Sequence, residues 1–220
     1  MINVADLTTD VSLPGNYFAP ESYLQGDFES GLLENRQGGR LLAVPDALLR
    51  GLYNGLNAEL GSATGVILYN CGIKWGKNFF RRFREEVSCY YQKPLAEMEM
   101  IELIQCLKQC WKAHGWGSIE LNFDEYQQGW LQVKVTHSAF AKVIASSKQP
   151  SCHIEAGLLS AFFSELSGTE LYCLQTTCES LGADSNLFIL GLEKRLETAV
   201  GMVEQGKTHT AIMQTLGVNQ

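Results

Sequence analysis

The chain has 220 residues, 45% of them hydrophobic, which is enough for one sizeable core or two small ones. A net charge of −7 with no basic tract argues against general nucleic-acid binding on electrostatic grounds. Seven cysteines at no disulfide-type spacing, with no visible signal peptide, read as reduced thiols of a cytosol-like compartment.

Residues 1–30 carry Asp6, Asp10, Glu21, Asp27 and Glu29, with Pro14 and Pro20 as breakers, and read as an irregular N-terminal arm. Such an arm is a tail or docks a partner. Loss of residues 1–25 is expected to leave the thermal midpoint nearly unchanged. Residues 31–216 read as a single domain. Asp46 after Pro45 is a candidate helix N-cap. Leu48, Leu49, Leu52, Tyr53, Leu56 and Leu60 follow at helical spacing, and Gly61 stops the run.

The stretch GVILYNCGIKWGKNFFRRFREEV reads as a second helix. Gly72 and Gly76 lie on one face of it and permit close packing against a neighbour. Phe79, Phe80, Phe83 and Val87 continue the apolar stripe, while Lys77, Arg81, Arg82 and Arg84 read as a solvated face. A third helix follows Pro94, with Met100, Ile104, Leu107, Trp111 and His114 in its stripe. SIELNF and WLQVKVTH then read as a hairpin, with Leu131, Val133 and Val135 on one face of the second strand.

A fourth helix runs from Cys152 to Leu166. Strands TELYCLQT and NLFILG flank a turn carrying Cys178. An amphipathic helix over 192–205 and a short one ending near Leu216 complete the chain. The order predicts one α+β domain with an antiparallel sheet of about four strands packed with helices.

Chemistry-bearing motifs are sparse. Cys106 and Cys110 lie four apart on a helix, but two thiolates without two further ligands read as core. Cys152 heads a helix whose dipole favours the thiolate, which makes it the candidate reactive thiol. No nucleophile elbow, Walker loop, G-x-G-x-x-G, H-E-x-x-H or C-x-x-C is present. Residue chemistry alone therefore indicates no enzyme.

The stretch CHIEAGLLSAFFSELSGTELYCLQTTCESLGADSNLFIL resembles the C-terminal half of the 4-vinyl reductase (V4R) domain family. GVILYNCGIKWGKNF is similar to that family's glycine-bearing helix, and VKVTHSAFA to its strand-and-serine element at Ser138. The likeness covers roughly residues 25–216 and looks closest to the stand-alone cyanobacterial type. Kin of the fold include aromatic-sensing domains and lipid-binding subunits of the transport protein particle.

The resemblance implies a homodimer-prone domain around an apolar small-molecule pocket, with the Gly72/Gly76 helix as first candidate for the dimer face. It implies pocket walls at Leu107, Trp111, Val133, Val135 and Cys173. The aromatic sensors hold structural zinc at four positions that correspond to Cys152, Gln175, Cys178 and Asn186. Two neutral amides are poor ligands, so zinc is not expected and the turn reads as a relict metal site braced by side-chain amides. Lipid-binding kin carry an acylated cysteine a few residues from Cys89, an offset too large to assign acylation.

The implied function is non-catalytic binding of a hydrophobic small molecule, a tetrapyrrole or pigment precursor before a lipid. Its setting would be pigment or photosystem biogenesis, with photosystem assembly proteins as partners. The expected location is the cytoplasm, extending to the thylakoid periphery. One alternative is an enzyme of tetrapyrrole vinyl reduction, against which the missing nucleotide fingerprint weighs. The other is a protein-interaction module with a collapsed pocket.

Overall fold

The computed structural model describes residues 14–144 and 148–218. Among the described residues, fourteen α-helices and β-strands follow one another. They are α1 Pro20–Tyr23, β1 Leu24–Asp27, β2 Leu32–Asn35, α2 Asp46–Leu60, α3 Thr64–Tyr91, α4 Met100–Ala113, β3 Ser118–Asn122, β4 Leu131–Thr136, α5 Ala139–Lys142, α6 His153–Ser167, β5 Tyr172–Thr177, β6 Asn186–Gly191, α7 Glu193–Glu204 and α8 His209–Val218. The α+β class and the four-stranded sheet expected from sequence are present. The sheet order is β3-β4-β6-β5, antiparallel throughout. Among the described residues, no helix is long and apolar enough to cross a membrane.

Strand alternation divides the sheet between two cores. Val133, Val135, Cys173, Phe188 and Leu190 enter the main core with α3, α4 and α6. Leu174 and Ile189, one residue out of phase, join Trp130 under α7 and α8, with Leu196, Ala199, Ile212 and Leu216. Helix α4 starts at Met100 because a reciprocal Glu99/Glu102 capping box satisfies its first amides, with Glu99 N–H donating to Glu102 Oε2 at 2.8 Å.

The Gly72/Gly76 face is not available to a second copy of the chain. Within the same chain, α6 occupies it. A Cβ on Gly72 would lie 2.3 Å from the Ile154 carbonyl oxygen, and one on Gly157 would lie 2.1 Å from that of Tyr69. Small residues let the two backbones touch, which is what the four-residue glycine spacing requires; the partner is α6 rather than a dimer mate.

The N-terminal segment also differs from expectation. Residues 1–13 lie outside the described residues, but 14–30 do not form an irregular arm. Tyr17, Phe18 and Tyr23 are buried in the main core, and Phe18 stacks on Phe83 at 5.9 Å. The Tyr23 hydroxyl donates to His114 Nε2 at 3.2 Å, in the tautomer whose Nδ1–H donates to the Cys110 carbonyl. Strand β1 pairs with β2, whose Asn35 donates to the buried Glu86 of α3 at 2.6 Å. Arg82 completes that anchor with a 3.4 Å contact to Glu86, so this arginine is an internal partner as well as part of a solvated face.

Tyr17 and Phe18 are adjacent and Pro20 parts them from Tyr23, so the three offer no periodicity, and only their tertiary contacts identify them as core. Deleting residues 1–25 should therefore lower the thermal midpoint, not leave it unchanged. Tyr23→Ala alone should cost about 3 kcal/mol or more by the scale of buried aromatic truncations. Urea unfolding of both variants checks this, and midpoints equal to the parent's would return the segment to an arm.

Candidate functional site

Three places carry chemistry: the turn after β5, the aromatic core, and a cleft between α2–α3 and the start of α6.

At the turn, all four positions matched to zinc ligands converge. Cys152 and Cys178 bring their sulfurs to 3.5 Å. Gln175 Oε1 accepts the Cys152 N–H at 2.8 Å, and its Nε2 donates to Asn186 Oδ1 at 3.3 Å. That same Asn186 oxygen accepts the Glu179 N–H at 3.0 Å, while Nδ2 donates to the Val135 carbonyl at 3.2 Å and to Glu179 Oε2 at 2.7 Å. Glu179 in turn accepts the N–H groups of His137 and Ser138 at 2.7 and 3.0 Å. His137 needs this support, since it holds a left-handed φ of 57°.

Both amides are thus consumed in bracing β4, β6 and the α6 N-terminus. Two thiols and two engaged amides do not fit a structural zinc, which takes four good ligands. Among the described residues, no group of three His, Cys, Asp or Glu is arranged to hold a metal.

The thiols are not equivalent. A hydrogen bond from Cys152, aided by Ser180 at 3.0 Å, lowers the Cys178 pKa to about 5. Its hydrogen bond with Cys178, together with burial, raises Cys152 well above the ordinary thiol value. The helix-dipole argument favours the thiolate at Cys152, whereas the pKa directions favour it at Cys178. Burial and a donating neighbour outweigh half a charge at a helix end.

Beneath the turn lies Glu155, fully buried on α6. Ser138 Oγ donates to its Oε2 at 2.8 Å, and Oε1 has no partner. Burial pushes its pKa up to about 8, with Cys178 and Glu179 adding to the rise. Sequence reasoning passed over this residue, although a lone carboxylate among the apolar residues of CHIEAGLLSAFF was the available signal.

In the aromatic core, the five residues expected to wall a pocket do come together. Leu107 and Trp111 of α4, Val133 and Val135 of β4, and Cys173 of β5 share one cluster and are all buried. Phe79 meets Trp111 at 6.3 Å and Phe162 at 5.6 Å, and Trp111 meets Trp116 at 5.1 Å. These five residues stand together in the buried cluster between the sheet and α3, α4 and α6. One irregularity stands out there: the Trp111 indole N–H is buried with no acceptor.

A cleft opens on another side of α3. It has a volume of about 1140 Å³ and is walled by Tyr53, Leu68, Tyr69, Ile73, Ile144 and Tyr172. Asn54, Asn57 and His153 supply polar edges. The Tyr69 hydroxyl accepts the Cys173 N–H at 3.1 Å, which fixes that wall to the sheet. The His153 ring packs on Gly65, and burial lowers its pKa, so it is neutral at pH 7. None of these residues was read as part of a site in the sequence, because they come from α2, α3, α6, β5 and the segment after α5 with no shared spacing. A second concavity of about 470 Å³ lies beside the thiol turn, lined by His137, Ser138, Glu179 and Ser180 among others.

The family model described as the V4R domain matches residues 131–192, from the start of β4 to just past β6. No curated protein sequence matches the chain. In fold the chain is similar to the phenol-responsive sensory domain of the transcription activator PoxR, solved with phenol. The two share 12% identity at a TM-score of 0.64, over 83% of this chain and 90% of that one. It is also similar to trafficking protein particle complex subunit 3 from Naegleria fowleri, solved covalently bound to palmitic acid. There the identity is 14% and the TM-score 0.51, over 67% of this chain and 95% of that one. A vinyl-4-reductase family protein from Methanocaldococcus jannaschii aligns at 16% identity and a TM-score of 0.44, over 68% and 82%. At such identities the first two likenesses show a shared fold.

Proposed function

We propose that this V4R-bearing chain binds a hydrophobic small molecule without transforming it, and that the guest lies in the tyrosine-walled cleft. The observation that carries the reading is the cleft itself: about 1140 Å³, with tyrosine and aliphatic side chains beside a polar lining that includes Asn54, Asn57, His153, Glu170, Glu193 and Glu204. That volume suits a sizeable ligand, and the mix of surfaces suits an amphipathic one. Solved structures of similar fold hold phenol and palmitic acid, which supports a small hydrophobic guest as the class. A tetrapyrrole or pigment precursor combines a broad apolar face with carboxylate edges, for which the lining offers Asn54, Asn57 and Lys148 beside the carboxylates of Glu170, Glu193 and Glu204. An accessory role in pigment or photosystem biogenesis belongs to this proposal.

A second reading rests on Trp111. A buried donor without an acceptor costs roughly 1–3 kcal/mol, and a guest carrying an oxygen would relieve it if the aromatic core opened. Titration with protoporphyrin separates the two. If the cleft binds, Val66→Glu on its exposed rim should weaken binding at least tenfold, and Trp111→Phe should leave it unchanged. If the core binds, the pattern reverses. No saturable absorption shift in the parent protein rejects a tetrapyrrole in either place. Oxidation of NADPH that reduces a porphyrin vinyl group would move the assignment to an enzyme.

A further inference from the structure

Seven cysteines divide by environment. Cys71 and Cys89 are exposed and separate, whereas Cys106, Cys110 and Cys173 are buried thiols whose pKa values burial raises. Only Cys152 and Cys178 combine near-contact of sulfurs with asymmetric protonation. Their sulfurs stand 3.5 Å apart, against about 2.05 Å in an S–S bond. Cys178 sits on a short turn whose next residue but one, Ser180, both contacts its sulfur at 3.0 Å and lines the 470 Å³ concavity. A small solute entering there stops one hydroxyl short of the thiol.

We propose that Cys152 and Cys178 form a dithiol oxidation site, in which hydrogen peroxide oxidises Cys178 and Cys152 resolves it to an intramolecular disulfide. The Cys178 thiolate attacks one peroxide oxygen. An S–O bond forms, the O–O bond breaks, and the departing hydroxide takes a proton to leave as water. Cys178 is then a sulfenic acid. The Cys152 sulfur attacks it, an S–S bond forms, the S–O bond breaks, and the hydroxyl leaves as water with the Cys152 proton. Two thiols lose two electrons and two protons, and one peroxide becomes two waters.

The lowered pKa of Cys178 supports the order of attack, since the thiolate is the nucleophile and the protonated Cys152 is the resolving partner. Peroxide rather than a bulky disulfide is the fitting oxidant, because both sulfurs are nearly shielded from solvent. The bond would tie the first residue before α6 to the turn after β5. His153 and Ser151, on either side of Cys152, line the large cleft. Oxidation would thus fix that wall, whether or not a guest is bound.

The test uses the full chain carrying Cys71→Ser and Cys89→Ser, which removes the exposed competitors. After one equivalent of hydrogen peroxide, denaturation and alkylation, the mass should fall by two hydrogens with two alkylations lost. Peptide mapping should link Cys152 to Cys178, and dithiothreitol should restore both thiols. Adding Cys152→Ser should instead leave a Cys178 sulfenic acid that dimedone traps. Circular dichroism before denaturation establishes that the linkage forms in the folded chain. The proposal is overturned if both thiols remain alkylatable in folded protein, if Cys178 runs to the sulfinic acid without linking, or if the link forms only after unfolding.

Discussion

Replacing Glu155 with glutamine should stabilise the protein at neutral and alkaline pH, and the gain should vanish below about pH 5. The carboxyl is fully buried, one of its oxygens has no partner, and burial raises its pKa from 4.5 to about 8. In the unfolded chain it ionises near 4.5, while in the folded chain it keeps its proton. Between those values the folded state binds more protons than the unfolded one, so this residue makes stability fall as pH rises. Below 4.5 both states are protonated and the penalty is absent.

At pH 7 the gap spans about 2.5 pH units, on the order of 3 kcal/mol at ~1.4 kcal/mol per unit. Glutamine keeps the shape and the Ser138 contact without the titration. Urea unfolding of parent and variant at pH 5, 7 and 8 should give curves that diverge upward. Cys178 titrates with the opposite sign, its lowered pKa adding stability as pH rises. The difference between parent and variant, not the parent's own profile, is therefore the quantity that isolates Glu155. Parallel profiles would show that the carboxylate is solvated.

The second large effect is expected at the contact between α3 and α6. Gly157→Val should destabilise by about 3 kcal/mol or more, because its Cβ would enter the Tyr69 carbonyl, which is backbone and cannot rotate away. In a chain of this length that is a fall of roughly 6–12 °C in thermal midpoint. Gly55→Ala is the control. It stands in α2 with nothing near its added methyl, so helix propensity should raise stability by about 0.5–1 kcal/mol. A Gly157 variant that melts with the parent would mean the helices do not pack backbone to backbone.

Some of the site was legible and some was not, for reasons that differ by residue. The Cys152–Cys178 pairing followed from the resemblance, and the bracing by Gln175 and Asn186 followed from the poor ligand quality of amides. The direction of thiol asymmetry did not follow, because it depends on which sulfur receives a hydrogen bond. Glu155 was visible as a carboxylate in an apolar run but went unread. The cleft was invisible, since Tyr53, Tyr69, His153 and Tyr172 sit on four separate elements. The five residues named as pocket walls do converge, yet convergence of apolar side chains describes a packed core as well as a chamber.

Local patterning was sufficient for the helices of ten or more residues from Asp46 onward, the two hairpin strands, the strands around Cys178 and the antiparallel α+β class. Each of those depends on spacing along the chain: 3.6 for a helix, 2 for a strand, glycine and proline at the stops. Tertiary structure alone decided that Tyr17, Phe18 and Tyr23 belong to the core, that the Gly72 face meets α6 of the same chain, and that a cleft opens beside α2. Those outcomes depend on distances between residues far apart in sequence, which no period along the chain encodes.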